Sequence, residues 1–117
     1  MKLRIKGNSV RLRLTQSEVE QLAAEGSVRE TVSFGDRSLG YEIRSVKDAS
    51  GVSADLNGLS IVISVPEQVI NDWAGSDSIS IEYEGTPSVL IEKDFACLSE
   101  RKNEDDADAF PNPRGKC

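Results

Sequence analysis

The apolar residues of this chain come mostly in short runs that alternate with polar ones, and that pattern limits the fold more than any other feature. Lys2-Leu3-Arg4-Ile5-Lys6 and Val10-Arg11-Leu12-Arg13-Leu14 both repeat with period two, the signature of strands with one buried face. Gly7-Asn8-Ser9 between them is a turn-forming set, so the chain opens with a β-hairpin. Thr15-Gln16-Ser17-Glu18 then reads as a capping box: the Thr15 hydroxyl accepts from a first-turn amide and Glu18 reaches back to the Thr15 amide. Val19, Leu22 and Ala23 recur at helical spacing and Gly26 is placed to stop the helix, which predicts a short helix over 16–25.

Residues 28–34 and 39–46 predict a second hairpin around Gly35-Asp36-Arg37-Ser38. A weaker strand over 52–56 leads through Asn57-Gly58 to Leu59–Val65. In that run Val62 adds an apolar residue to the face opposite Leu59, Ile61, Ile63 and Val65, which suits a central strand. Pro66 fits the start of a second helix over 66–74, with Val69, Ile70 and Trp73 as its apolar side and Gly75 at its close. Strands over 79–83 and 89–95 follow, separated by Gly85-Thr86-Pro87-Ser88. The expected architecture is α+β: a mainly antiparallel sheet or small barrel of about 7–8 strands, covered by two short helices. No internal repeat stands out.

A chain of 117 residues with 38% hydrophobic content is enough for one domain with one core. We place that domain at 1–98 and read 99–117 as an acidic, proline-containing tail. Its run Glu104-Asp105-Asp106-Ala107-Asp108 repels itself, and Pro111-Asn112-Pro113 forms neither helix nor central strand. No apolar run approaches a membrane span and no secretory leader follows the basic start, so a cytoplasmic protein is expected. The net charge of −6 argues against a general nucleic-acid binder, although residues 1–14 carry only basic charges.

Function is far less legible. The absence of histidine removes serine triads and helical His-pair metal sites. On alternating strands Lys2, Arg4, Lys6, Arg11 and Arg13 share the face opposite Leu3, Ile5, Val10, Leu12 and Leu14, and like charges opposite each other weaken a ladder. Either this face binds an anion (phosphate, nucleotide or acidic partner), or Glu82, Glu84, Glu92 or Asp94 on neighbouring strands supply the counter-charges. The same four acids, two apart in each pair, form a candidate Mg²⁺ or Ca²⁺ set. Cys97 and Cys117 are a candidate thiolate metal or redox pair, or else a packed and an exposed thiol. Phe110 in the acidic tail is a candidate anchor for a protein partner.

The segments Met1–Thr15, Glu92-Lys93-Asp94-Phe95-Ala96-Cys97-Leu98 and the acidic Phe-Pro-Asn-Pro ending with a terminal cysteine resemble a family of small, uncharacterised bacterial proteins. The resemblance implies a bacterial, cytoplasmic protein and transfers no catalytic or binding residue. The leading expectation is a non-enzymatic binding or accessory domain. The alternatives are a Cys97/Cys117 metal or redox module and an anion-binding or phosphate-ester-processing protein built on the basic hairpin. Neither a cofactor nor an oligomeric state is named by these residues.

Overall fold

The computed structural model describes residues 1–95 and Phe110. Gly7, at a φ of 56°, makes the tight turn that returns β1 (Lys2–Lys6) as β2 (Ser9–Leu14). Thr15 caps α1 (Gln16–Glu25) through the full capping box expected of Thr15 and Glu18, and Gly26 ends it in the left-handed conformation. The hairpin of β3 (Ser27–Ser33) and β4 (Ser38–Val46) comes next, then β5 (Ser53–Asn57) and β6 (Ser60–Pro66). The chain continues through α2 (Glu67–Ala74), β7 (Ser80–Tyr83) and β8 (Ser88–Lys93). Among the described residues two helices and eight strands thus lie close to where the period-two and helical patterns put them.

The arrangement of the strands departs from expectation. They form two four-stranded sheets, ordered β1-β2-β8-β7 and β3-β4-β6-β5, and neither closes into a barrel. Each sheet is mixed rather than antiparallel, because its two hairpins meet through parallel inner strands: β2 beside β8, and β4 beside β6. The physical reason lies at the helices. After β2 and after β6 a helix diverts the chain, so the following hairpin lands in the other sheet and the open side of β2 waits for β8. Pairing neighbours in sequence order misses this exchange.

The topology also contains a repeat. The unit β1-β2-α1-β3-β4 and the unit β5-β6-α2-β7-β8 have the same order, and each gives one hairpin to each sheet. Exchanging the units maps the β2/β8 seam onto the β6/β4 seam. Leu12 beside Ile91 and Ile63 beside Ile43 take equivalent places, all four fully buried. With that alignment the apolar alternation matches: Gly7-Asn8-Ser9-Val10-Arg11-Leu12-Arg13-Leu14 against Gly58-Leu59-Ser60-Ile61-Val62-Ile63-Ser64-Val65. Gly58, like Gly7, has a positive φ at the first turn position, so the second turn centres on Gly58-Leu59.

The helices pack on each other, and one continuous core joins both sheets with Val19 and Leu22 of α1 and Ile70 and Trp73 of α2. Ala23 and Val69, read as core from their spacing, are exposed instead. β6 is a central strand, as its two-sided apolar pattern implies, while the last strand stops at Lys93 rather than 95. No helix among the described residues is long and apolar enough to cross a membrane. The Met1 ammonium is drawn in by Glu18 and by Glu30 Oε1 at 3.0 Å, and the Tyr41 hydroxyl donates to Glu30 Oε2 at 2.8 Å. Burial pushes the Glu30 carboxyl up, but hydrogen bonds from Tyr41 and the ammonium outweigh it and leave it below its ordinary value. Tyr41 is pushed up to about 12, by burial first and then by donating to Glu30.

Candidate functional site

The tight turn at Gly7-Asn8 fixes the register of the first hairpin, setting Lys2 opposite Arg13, Arg4 opposite Arg11, Leu3 opposite Leu12 and Ile5 opposite Val10. All five predicted cations therefore share one face. Val10, Leu12 and Leu14 of β2 are buried beneath it, while β1 lies at the margin with only Leu3 partly covered.

Carboxylates from β8 answer part of this charge. Parallel pairing sets Glu92 beside Arg13, whose Nε and Nη2 donate to Glu92 Oε1 at 3.1 and 3.0 Å. Arg11 Nε lies 3.7 Å from the same oxygen. The Lys2 ammonium sits 3.5 Å from Asp94, whose backbone N–H donates to the Leu14 carbonyl. The expectation of counter-charges from neighbouring strands therefore holds for Glu92 and Asp94, but these two carboxylates are shared among Lys2, Arg11 and Arg13. Arg4 and Lys6 have no ion pair or hydrogen bond among the described residues, apart from the strand ladder and the Ser9 hydroxyl bonded to the Lys6 carbonyl. The candidate cation set does not assemble: among the described residues no three acidic, cysteine or histidine side chains come together to hold a metal ion.

Two adjoining hollows lie on the face. Lys2, Arg4, Arg11 and Arg13 line one of about 150 Å³, and Arg4, Lys6, Ser9 and Arg11 line one of about 160 Å³. Both are small beside the several hundred cubic ångströms typical of small-molecule sites. They suit carboxylate or phosphate groups carried on something larger. The outer face of the other sheet is balanced: Glu42, mostly buried between strands, takes Arg29 Nη1 at 3.3 Å and Arg44 Nε at 3.2 Å. Among the described residues the surplus of cations lies on the first sheet.

Cys97 and Cys117 lie outside the described residues. Phe110, half-buried, is engaged within the chain: its N–H donates to the Asp94 carbonyl and its ring meets Phe95 edge-on, with centroids 5.6 Å apart. Sequence reasoning missed what lies beside it. Lys93 is 5% exposed; its ammonium donates to the Ser76 carbonyl at 2.8 Å and lies 5.6 Å from the Trp73 ring and 5.3 Å from the Phe110 ring. Burial pushes this ammonium below its ordinary value, against the opposing pull of Asp77. Strand parity places Lys93 on the face of Val89 and Ile91, a signal the sequence did carry, but the cover that buries it comes from Trp73 of α2 and from Phe110.

A model described as a family of unknown function (DUF7009) matches residues 1–114. The chain belongs to that family. No curated protein and no solved structure matches it. Membership takes in the cationic hairpin, Cys97 and Phe110, and names a role for none of them.

Proposed function

We propose that this member of the family is a non-enzymatic binding domain of the bacterial cytoplasm, and that the cationic face of β1 and β2 receives an acidic segment of a protein partner. The observation that carries the reading is the Arg4–Arg11 cross-strand pair beside Lys6. Like charges face each other there, and neither Arg4 nor Lys6 has a carboxylate among the described residues. Such a pair costs stability on an antiparallel ladder, and one acidic residue at either position would relieve it. Residues that oppose stability at the surface are the ones that recognition tends to retain. The absence of histidine also favours binding over catalysis.

The test is a titration with polyglutamate at low ionic strength, comparing the native chain with Arg4→Glu/Lys6→Glu. The native chain is expected to bind with an affinity that falls steeply with salt, and the variant to lose at least tenfold while melting no lower than the native protein. Binding that survives the double reversal, or no binding by the native chain, removes the face as the recognition surface.

A further inference from the structure

β1 is the outermost strand of its sheet, with β2 on one side and no strand on the other among the described residues. The residues flanking a two-residue turn exchange both backbone bonds, and bonded pairs then alternate along the ladder. Lys6–Ser9, Arg4–Arg11 and Lys2–Arg13 are therefore the bonded pairs, and Leu3 and Ile5 direct their N–H and C=O groups outward to the open edge. Ile5 is also 57% exposed on the inner face of the sheet, an apolar side chain next to an unsatisfied edge.

Lys2, Arg4 and Lys6 stand on the outer face at every second residue, a spacing of roughly 6.7 Å along the strand. Alternate side chains of any strand laid alongside have the same spacing. We infer that β1 binds its partner by strand addition, and that the partner segment is extended, with acidic residues alternating with apolar ones. Its backbone bonds to Leu3 and Ile5, its carboxylates lie over Arg4 and Lys6, and its apolar residues cover Ile5 and the margin of Leu3. The inference rests on the binding function proposed above and names the mode and partner class for that same face.

Basic residues on an edge strand ordinarily guard it against unwanted pairing. Here the guard acts as a filter: it repels basic strands, a second copy of β1 among them, gives a neutral strand no charge pairing, and favours an acidic one. The other edges lack that property. β3 carries both Arg29 and Glu30, β5 only Asp55, and β7 only Glu82. Of the four sheet edges among the described residues, β1 alone presents several charges of one sign.

The experiment compares two peptides of equal composition, one alternating Glu and Val and the other with the same residues in two blocks. A third peptide repeats the alternating sequence with N-methyl groups on the amides of alternate residues, made in both phases so that one of them blocks the bonds to β1. Binding is read by calorimetry and by amide hydrogen exchange. The alternating peptide is expected to bind at least tenfold tighter than the block peptide, to slow exchange at Leu3 and Ile5, and to lose its advantage in one N-methylated phase. Ile5→Pro, which removes an outward N–H without breaking a bond to β2, is expected to abolish the same advantage. Equal binding of alternating and block peptides, with exchange at Leu3 and Ile5 unchanged, overturns strand addition while leaving the cationic face standing. No binding of either peptide or of polyglutamate overturns both.

Discussion

Glu92→Gln is expected to destabilise the fold and strengthen anion binding at the same time. Glu92 Oε1 accepts two hydrogen bonds from Arg13 and lies near Arg11, and its side chain is 17% exposed against 36% and 40% for the two arginines. An exposed ion pair contributes about 0.2–1 kcal/mol. The well-formed, half-covered Arg13 pair belongs at the top of that range and the longer Arg11 contact near its middle. Glutamine preserves shape and can still accept, but it leaves Arg13 facing Lys2, and Arg11 facing Arg4, with less compensation. The combined loss is about 1.5–2 kcal/mol, or a urea midpoint lower by roughly 1 M for a domain of this size. Because the new repulsion lies at the surface, raising NaCl from 0.1 to 1 M shortens the screening length from about 10 to 3 Å and is expected to restore about half of the loss. Polyglutamate is expected to bind the variant several-fold more tightly at low salt. A midpoint shift below about 0.2 M, or one that salt does not touch, would refute the view that Glu92 neutralises this face.

Leu12→Ala and Ile63→Ala occupy equivalent, fully buried places on the two seams, and each is expected to cost about 3–4 kcal/mol by chemical denaturation. Costs differing by more than about 2 kcal/mol would deny the equivalence. Tyr41 is neutral in the fold up to about 12, so the stability it contributes is complete below pH 10 and is lost as pH rises towards 12. Tyr41→Phe is expected to flatten that alkaline limb, which amounts to at most roughly 2.7 kcal/mol. Glu30, held below its ordinary value, is expected to act in the opposite direction, its contribution present at neutral pH and lost as the solution is acidified below pH 4.5; Glu30→Gln should remove that acid limb from urea midpoints measured against pH. Phe110→Ala removes an edge-on contact with Phe95 and a cation–π contact with Lys93, and is expected to cost about 1–2 kcal/mol and to shift the Trp73 emission. An unchanged melt and spectrum would place the ring free of the domain.

Local structure was legible because local physics decides it. The Thr15–Glu18 capping box, the Gly26 stop and the first hairpin need no information beyond a few neighbouring residues. The cationic face was legible for the same reason, since alternation puts Lys2, Arg4, Lys6, Arg11 and Arg13 on one side whatever lies next to them. The partners of β2 and β4 were not legible. Leu12 is equally suited to an antiparallel neighbour and to the parallel β8 it finds, and no residue near Leu12 carries that choice. The repeat was hidden because its halves share a pattern rather than residues: Thr15 caps one helix through its hydroxyl, while Pro66 opens the other with no side-chain bond. Lys93 was lost to the same gap, since its burial depends on where α2 sets Trp73.

The crossing of hairpins between sheets also sets the order in which this protein can be made. The sheet containing β3, β4, β5 and β6 has all its strands once Pro66 has been synthesised. The first hairpin must wait for a strand that arrives much later: Arg13 and Glu92 are 79 residues apart in the chain. Until then β2 offers the nascent chain an open edge with Val10, Leu12 and Leu14 uncovered, the kind of surface that recruits a chaperone or a neighbouring ribosome's product. In that interval the charges of Arg4, Lys6, Arg11 and Arg13 stand beside the open edge, the placement that guards a strand against unwanted pairing.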